Sequence, residues 1–106
     1  MCKTRVLTQK GQTVISHCPE CHMLNIWHQN LLLCFTPEQF RSFKNVAIEM
    51  AFEERAYPFP DGEERLILCT PHHDINFAFT TDEWEDFKEC LEEAVYMQDI
   101  YEIINP

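Results

Sequence analysis

A chain of 106 residues is long enough for one hydrophobic core and too short for two. With 45% apolar and 12% aromatic residues it can offset its backbone entropy by burial alone, without disulfide staples. Eight Lys and Arg against eighteen Asp and Glu give a formal charge of −10, which argues against nucleic-acid binding, since that rests on clustered cations neutralising phosphates.

The charge is lopsided: residues 1–30 carry Lys3, Arg5 and Lys10 against Glu20, whereas residues 80–106 carry nine carboxylates and one Lys. A solvated acidic helix face, or one that meets a basic partner, is the expected result. The opening residues, MCKTRVLTQKGQT, hold no apolar run of the length a signal peptide needs, and no later stretch approaches a membrane span. A cytoplasmic protein is expected, in which six Cys stay reduced as packed thiols or metal ligands.

Residues 4–9 and 13–18 are rich in β-branched side chains and flank Lys10-Gly11-Gln12, which predicts a β-hairpin. With Gln9 facing Gln12, paired positions sum to about 21 and Cys2 is expected opposite Pro19. After Cys18-Pro19-Glu20-Cys21, a strand carries Leu24, Ile26 and His28 on one face and Asn25 and Trp27 on the other. A two-residue turn at Gln29-Asn30 leads to Leu31–Phe35, apolar on both faces and so expected to be covered on both.

Thr36-Pro37-Glu38-Gln39 reads as a helix start: Thr at the N-cap, Pro at the first helical position, and Gln completing a capping box. Phe40, Phe43, Ala47, Met50 and Ala51 form an apolar stripe that predicts a helix to about residue 55. Tyr57-Pro58-Phe59-Pro60-Asp61-Gly62 cannot continue it, because each Pro restricts the residue before it and Asp-Gly favours a turn.

The chain then writes the same phrase again. Residues 28–43, HQNLLLCFTPEQFRSF, align without a gap on residues 72–87, HHDINFAFTTDEWEDF, 44 positions on. His28 falls on His72, Leu31, Leu33 and Phe35 on Ile75, Phe77 and Phe79, Thr36 on Thr80, Phe40 on Trp84 and Phe43 on Phe87. A strand at 65–70, a turn at 71–74, a strand at 75–79 and a helix with Trp84, Phe87, Leu91, Ala94, Val95 and Gln98 on its apolar stripe follow. The predicted fold is α+β: an N-terminal β-hairpin, then two hairpin–helix (ββα) repeats, giving an antiparallel sheet with two helices on one face. As one domain it divides into a hairpin and Cys corner at 1–23, repeat one at 24–56, a linker at 57–64 and repeat two at 65–106.

Cys18-Pro19-Glu20-Cys21 is the motif with a known chemical use. C-x-x-C sets two sulfurs on one turn, as a zinc knuckle requires, and the hairpin register brings Cys2 beside them. Cys2, Cys18, Cys21 and His72 are the candidate ligands, with His22, His17 and Cys69 as alternatives for the fourth. Cys69-Thr70-Pro71-His72 repeats the spacing as C-x-x-H, although Cys69 and His72 on one strand point to opposite faces unless Pro71 breaks it. Four protein ligands leave no position for substrate, so such a zinc is structural.

The competing readings are packed, reduced thiols and a redox pair. A redox pair draws its reactivity from a helix N-terminus, whereas HMLNIWH after Cys21 alternates like a strand. His72-His73-Asp74 reads as turn residues, and the chain has no Gly-rich phosphate loop. Cys34 and Cys90 read as small core residues. Leu32, Cys34 and Ala78 point away from the helices, towards the N-terminal hairpin or another subunit, which makes a homodimer through the Leu32/Cys34 face an expectation.

The early Cys2, the Cys18-Pro-x-Cys21 corner, Leu31-Leu-Leu-Cys-Phe-Thr-Pro-Glu-Gln-Phe and the second strand–helix copy resemble a small bacterial family of unknown function. The resemblance implies a cytosolic housekeeping or regulatory protein and supplies no activity. The residues themselves favour a non-enzymatic module that binds another protein or itself, with no nucleic-acid or membrane partner, stabilised by a structural zinc. The alternative is a thiol- or metal-dependent enzyme using Cys18 and Cys21.

Overall fold

The structure is a computed structural model that describes residues 3–104. Four strands, β1 (Arg5–Lys10), β2 (Thr13–His17), β3 (Leu24–His28) and β4 (Leu31–Phe35), form an antiparallel meander in chain order. Two helices, α1 (Pro37–Ile48) and the single turn α2 (Phe52–Arg55), lead to a second antiparallel sheet of β5 (Ala56–Pro58), β6 (Glu64–Cys69) and β7 (Asn76–Phe79). A 24-residue helix, α3 (Thr81–Ile104), closes the described chain. The α+β class and the order of hairpins and helices are as predicted, while the strands divide between two sheets.

Both long helices start as their sequences dictate. Gln39 N–H donates to Thr36 Oγ1 at 3.1 Å and Thr36 N–H to Gln39 Oε1 at 3.0 Å. Thr80 and Glu83 make the matching pair before α3, at 2.8 and 3.5 Å. Helix α1 ends at Ile48 instead of running to residue 55. Glu49, Glu53 and Glu54 would oppose the dipole at the end of a longer helix. Ala51 turns extended instead, and the chain reverses so that Ala56–Pro58 pairs with β6. The expected linker thus supplies an edge strand.

The first hairpin corrects the expected pairing. Lys10 faces Thr13 across a turn at Gly11-Gln12, with Gly11 at φ +53°, a conformation glycine reaches without steric cost. A β-bulge between Val6 and Thr8 then shifts the register by one, so that Leu7 and Thr8 are both buried and Arg5 lies opposite His17. Thr8 Oγ1 donates to Glu93 at 2.8 Å, and Lys10 Nζ lies 3.7 Å from Glu89 and from Glu93, fastening β1 to α3.

Leu7, Ile15, Leu24, Ile26, Leu33 and Phe35 from the first sheet meet Leu66, Leu68, Phe77 and Phe79 from the second in one core. Phe40, Phe43 and Ala47 of α1 and Trp84, Phe87, Cys90, Leu91 and Ala94 of α3 fill it. Phe87 is central: its ring centre lies 4.5 Å from Phe79, 5.1 Å from Phe77 and 6.2 Å from Phe43. The hairpins also touch reciprocally. His28 packs edge-on against Phe79 at 5.2 Å, and His72 edge-on against Phe35 at 6.1 Å. Cross-strand partners show where the ungapped alignment needs adjustment. Leu24 faces Phe35 and Leu66 faces Phe79, so the outgoing strands correspond at 42 positions and the return strands at 44, the second turn being longer.

Phe87→Ala should cost about 3–5 kcal/mol, read as a shift in the denaturant midpoint; a loss under about 1 kcal/mol would show that the two sheets do not depend on this ring. His28, half-buried, shares a 2.8 Å hydrogen bond with Thr13 Oγ1, and burial lowers its pKa from 6.5 against an opposing pull from Glu83. The unfolded chain therefore takes up this proton first as the pH falls. Its contribution is fully present above about pH 6.5 and is lost as the pH drops through the lower folded value. Melting temperature should fall between pH 7.5 and 5.5, less steeply in His28→Gln than in the native chain; equal slopes would remove His28 as a source of this dependence.

Candidate functional site

The sequence-predicted ligands fall at two places. At the first, β2 ends at His17 and the chain turns back into β3 through Cys18-Pro19-Glu20-Cys21-His22-Met23. Cys18 N–H donates to Met23 O at 3.0 Å and His22 N–H to Cys18 O at 2.8 Å, closing the turn. Cys21 N–H points at Cys18 Sγ, 3.5 Å away, and His22 adopts φ +66°. Cys18 is 1% exposed, while Cys21 and His22 face solvent. The corner joins two strands, so no helix dipole acts on either sulfur.

His17 points inward and is 5% exposed. Among the described residues, neither of its ring nitrogens has a hydrogen-bond partner, nor does Nε of Arg5 across the ladder. The Arg5 guanidinium lies 4.1 Å above the ring of Tyr101. Burial lowers the His17 pKa, Arg5 and His22 add to the effect, and Glu102 opposes it. The His17 and His22 rings are 6.3 Å apart.

The second place holds Cys69 and His72. Cys69 ends β6, exposed and opposite Asn76. His72, in the loop beyond, has Nε2 3.1 Å from the Cys34 carbonyl on β4. Strand β4 lies two positions from β2 in the sheet, about 10 Å at ordinary strand spacing. His72 thus sits with Cys34, while His17, Cys18, Cys21 and His22 gather at the corner. Cys2 lies outside the described residues, and among those described no three His, Cys, Asp or Glu side chains converge as a metal-holding group. His73 and Asp74 form an exposed pair at 3.4 Å within the turn.

One feature escaped the sequence reading, and a second, the sheet face of Leu32 and Cys34, is the one expected to point away from the helices. A cavity of about 210 Å³ opens between α1 and α3, with Arg41, Lys44 and Asn45 on one wall and Gln98, Asp99 and Glu102 on the other, above Leu24 and Phe40. The three-residue spacing of Arg41 and Lys44 signals a shared helix face, but not what that face meets. The outer face of the first sheet is also bare. Cross-strand rows Gln9–Val14–Trp27–Leu32 and Val6–Ser16–Asn25–Cys34 lie there, with Leu32 60%, Val6 57% and Trp27 54% exposed. Cys34, expected in the core, is exposed on this face, whereas Cys90 is fully buried.

Together these describe a small α+β domain with a cysteine corner at one end and a bare sheet face. The chain belongs to a family of unknown function (DUF6686), whose model matches residues 1–104, as the sequence resemblance implied. No curated protein and no solved structure matched the chain. No described helix is long and apolar enough to cross a membrane.

Burial pushes the Cys90 thiol up to about 11, leaving about one thiolate in a thousand at pH 8. Maleimide labelling of the native protein, mapped by mass spectrometry, should modify exposed Cys34 and Cys69 early and Cys90 only in denaturant. Early modification of Cys90 would show that the α3–β2 contact opens readily.

Proposed function

We propose that the protein is a non-enzymatic interaction module that associates through the outer face of its four-stranded sheet, with a second copy of itself as the partner. The observation that carries this reading is the pair of cross-strand rows on that face, where Val6, Val14, Trp27, Leu32 and Cys34 form an apolar surface across all four strands. A contact centred on the exposed Trp27 and Leu32, with Ser16 and Asn25 beside them and Gln9 at the edge strand, combines an aromatic anchor with polar groups as protein interfaces do.

We also read the two hairpin–helix units as copies of one unit. The paired capping boxes and the ring contacts Phe35–Phe43 at 5.1 Å and Phe79–Phe87 at 4.5 Å support this, as do the reciprocal His28–Phe79 and His72–Phe35 contacts. Reciprocal contact is what a two-fold relation between like units produces.

Trp84 is buried, so a change in tryptophan emission on association reports on Trp27. Sedimentation should give a dimer at high concentration, with emission shifting to the blue as the dimer forms. Leu32→Asp should leave a monomer with unchanged circular dichroism. A native chain that stays monomeric at every concentration would dismiss self-association.

A further inference from the structure

Burying an imidazole with both nitrogens unsatisfied is costly, because each polar group loses its water without gaining a partner. His17 is in that position beside Cys18, and its ring faces His22 at 6.3 Å. The same six residues present the Cys18 and Cys21 sulfurs on one turn, with a backbone N–H directed at Cys18 Sγ.

We propose that this corner binds one zinc ion through Cys18 and Cys21, with the imidazoles of His17 and His22 completing a tetrahedral Cys2His2 set. The chemistry fits: two thiolates and two neutral imidazoles are a common structural zinc set, and they use four protein ligands with none left for substrate. Two imidazoles on one zinc stand with ring centres about 5–6 Å apart, close to the 6.3 Å between His17 and His22. The four donors do not converge as they stand, so binding requires the exposed Cys21 and His22 side chains to turn towards His17 and Cys18. The ion would give His17 the partner that it lacks among the described residues and would pin the β2–β3 corner to the end of the sheet. This site is separate from the outer sheet face and does not depend on it.

The test uses the full chain, stripped of metal by a chelator and then titrated with zinc or with cobalt(II) alone. One equivalent of zinc should bind and raise the melting temperature. Cobalt should give a thiolate charge-transfer band and the intense visible bands of a tetrahedral centre. Cys21→Ser, at an exposed position that does not threaten folding, should lose the charge-transfer intensity in part and weaken zinc binding at least about tenfold. His17→Gln with His22→Gln should weaken it comparably while the cobalt thiolate band persists. A stripped chain that takes up neither metal, or a Cys21→Ser variant that binds zinc as tightly as the native chain, overturns the site. Undiminished binding by the double histidine variant overturns the Cys2His2 assignment.

Discussion

Neither sheet is large enough to stand alone, and the contact that makes them one body is the packing of Phe87 against Phe79 and Phe77 of the second sheet, Phe43 of α1 and His28 of the first sheet. A three-stranded sheet with a three-residue edge strand buries too little on its own. The four-stranded meander has one buried face and one bare face. Helix α3 resolves both problems, because its stripe reaches β1 and β2 along part of its length and β6 and β7 near its start. Tilted and edge-on ring pairs between about 4.5 and 7 Å are the favourable arrangements for aromatic side chains, and here they carry the cohesion between sheets that hydrogen bonds do not supply.

That arrangement explains the histidines as well as the phenylalanines. His28 closes the cluster from the first hairpin and His72 reaches from the second to Phe35 and the Cys34 carbonyl. Each presents an apolar ring body to its partner hairpin while one nitrogen finds a hydrogen bond, to Thr13 for His28 and to the Cys34 carbonyl for His72. His17 has no such compensation, so its burial is the exception among these three rings and not a general habit of the fold.

Much of this was legible in the residues because short-range rules decide it. Thr36 and Thr80 with Gln39 and Glu83 set both helix starts, and the stripes from Phe40 and Trp84 set the faces they bury. The divisions that were not legible depend on long-range partners. In the first hairpin the sequence reading places the turn one residue early, at Lys10-Gly11 instead of Gly11-Gln12 where the positive φ of Gly11 opens it, so partners slip by two, and the bulge at Leu7 has no local signature. The carboxylates Glu49, Glu53 and Glu54 disfavour helix beyond Ile48, but the strand at Ala56–Pro58 depends on its pairing with β6, which no local pattern announces. At the corner, C-x-x-C spacing was visible, but the burial of His17 opposite Arg5 depends on that same bulged register. The C-x-x-H spacing points to His72 while the 44-residue offset, which sets it against His28, argues the other way, and the loop after Cys69 carries that residue to the Cys34 carbonyl on β4.

The distribution of charge bears on which surface can meet another molecule. A net charge of −10 on a chain this small opposes the approach of a second copy wherever carboxylates face one another. Helix α3 carries half of them, nearly all exposed, so association through that helix would bring like charges together. The two rows on the outer face of the first sheet, Gln9–Val14–Trp27–Leu32 and Val6–Ser16–Asn25–Cys34, contain no ionisable acid or base apart from the Cys34 thiol. Exposed apolar side chains and the lack of formal charge therefore coincide on one face, while hydrogen-bonded and ionic contacts tie the other face of the same sheet to α3. A partner that buries this face gains apolar contact without desolvating a charge, and for a chain this acidic it is the surface where a second copy meets the least electrostatic resistance.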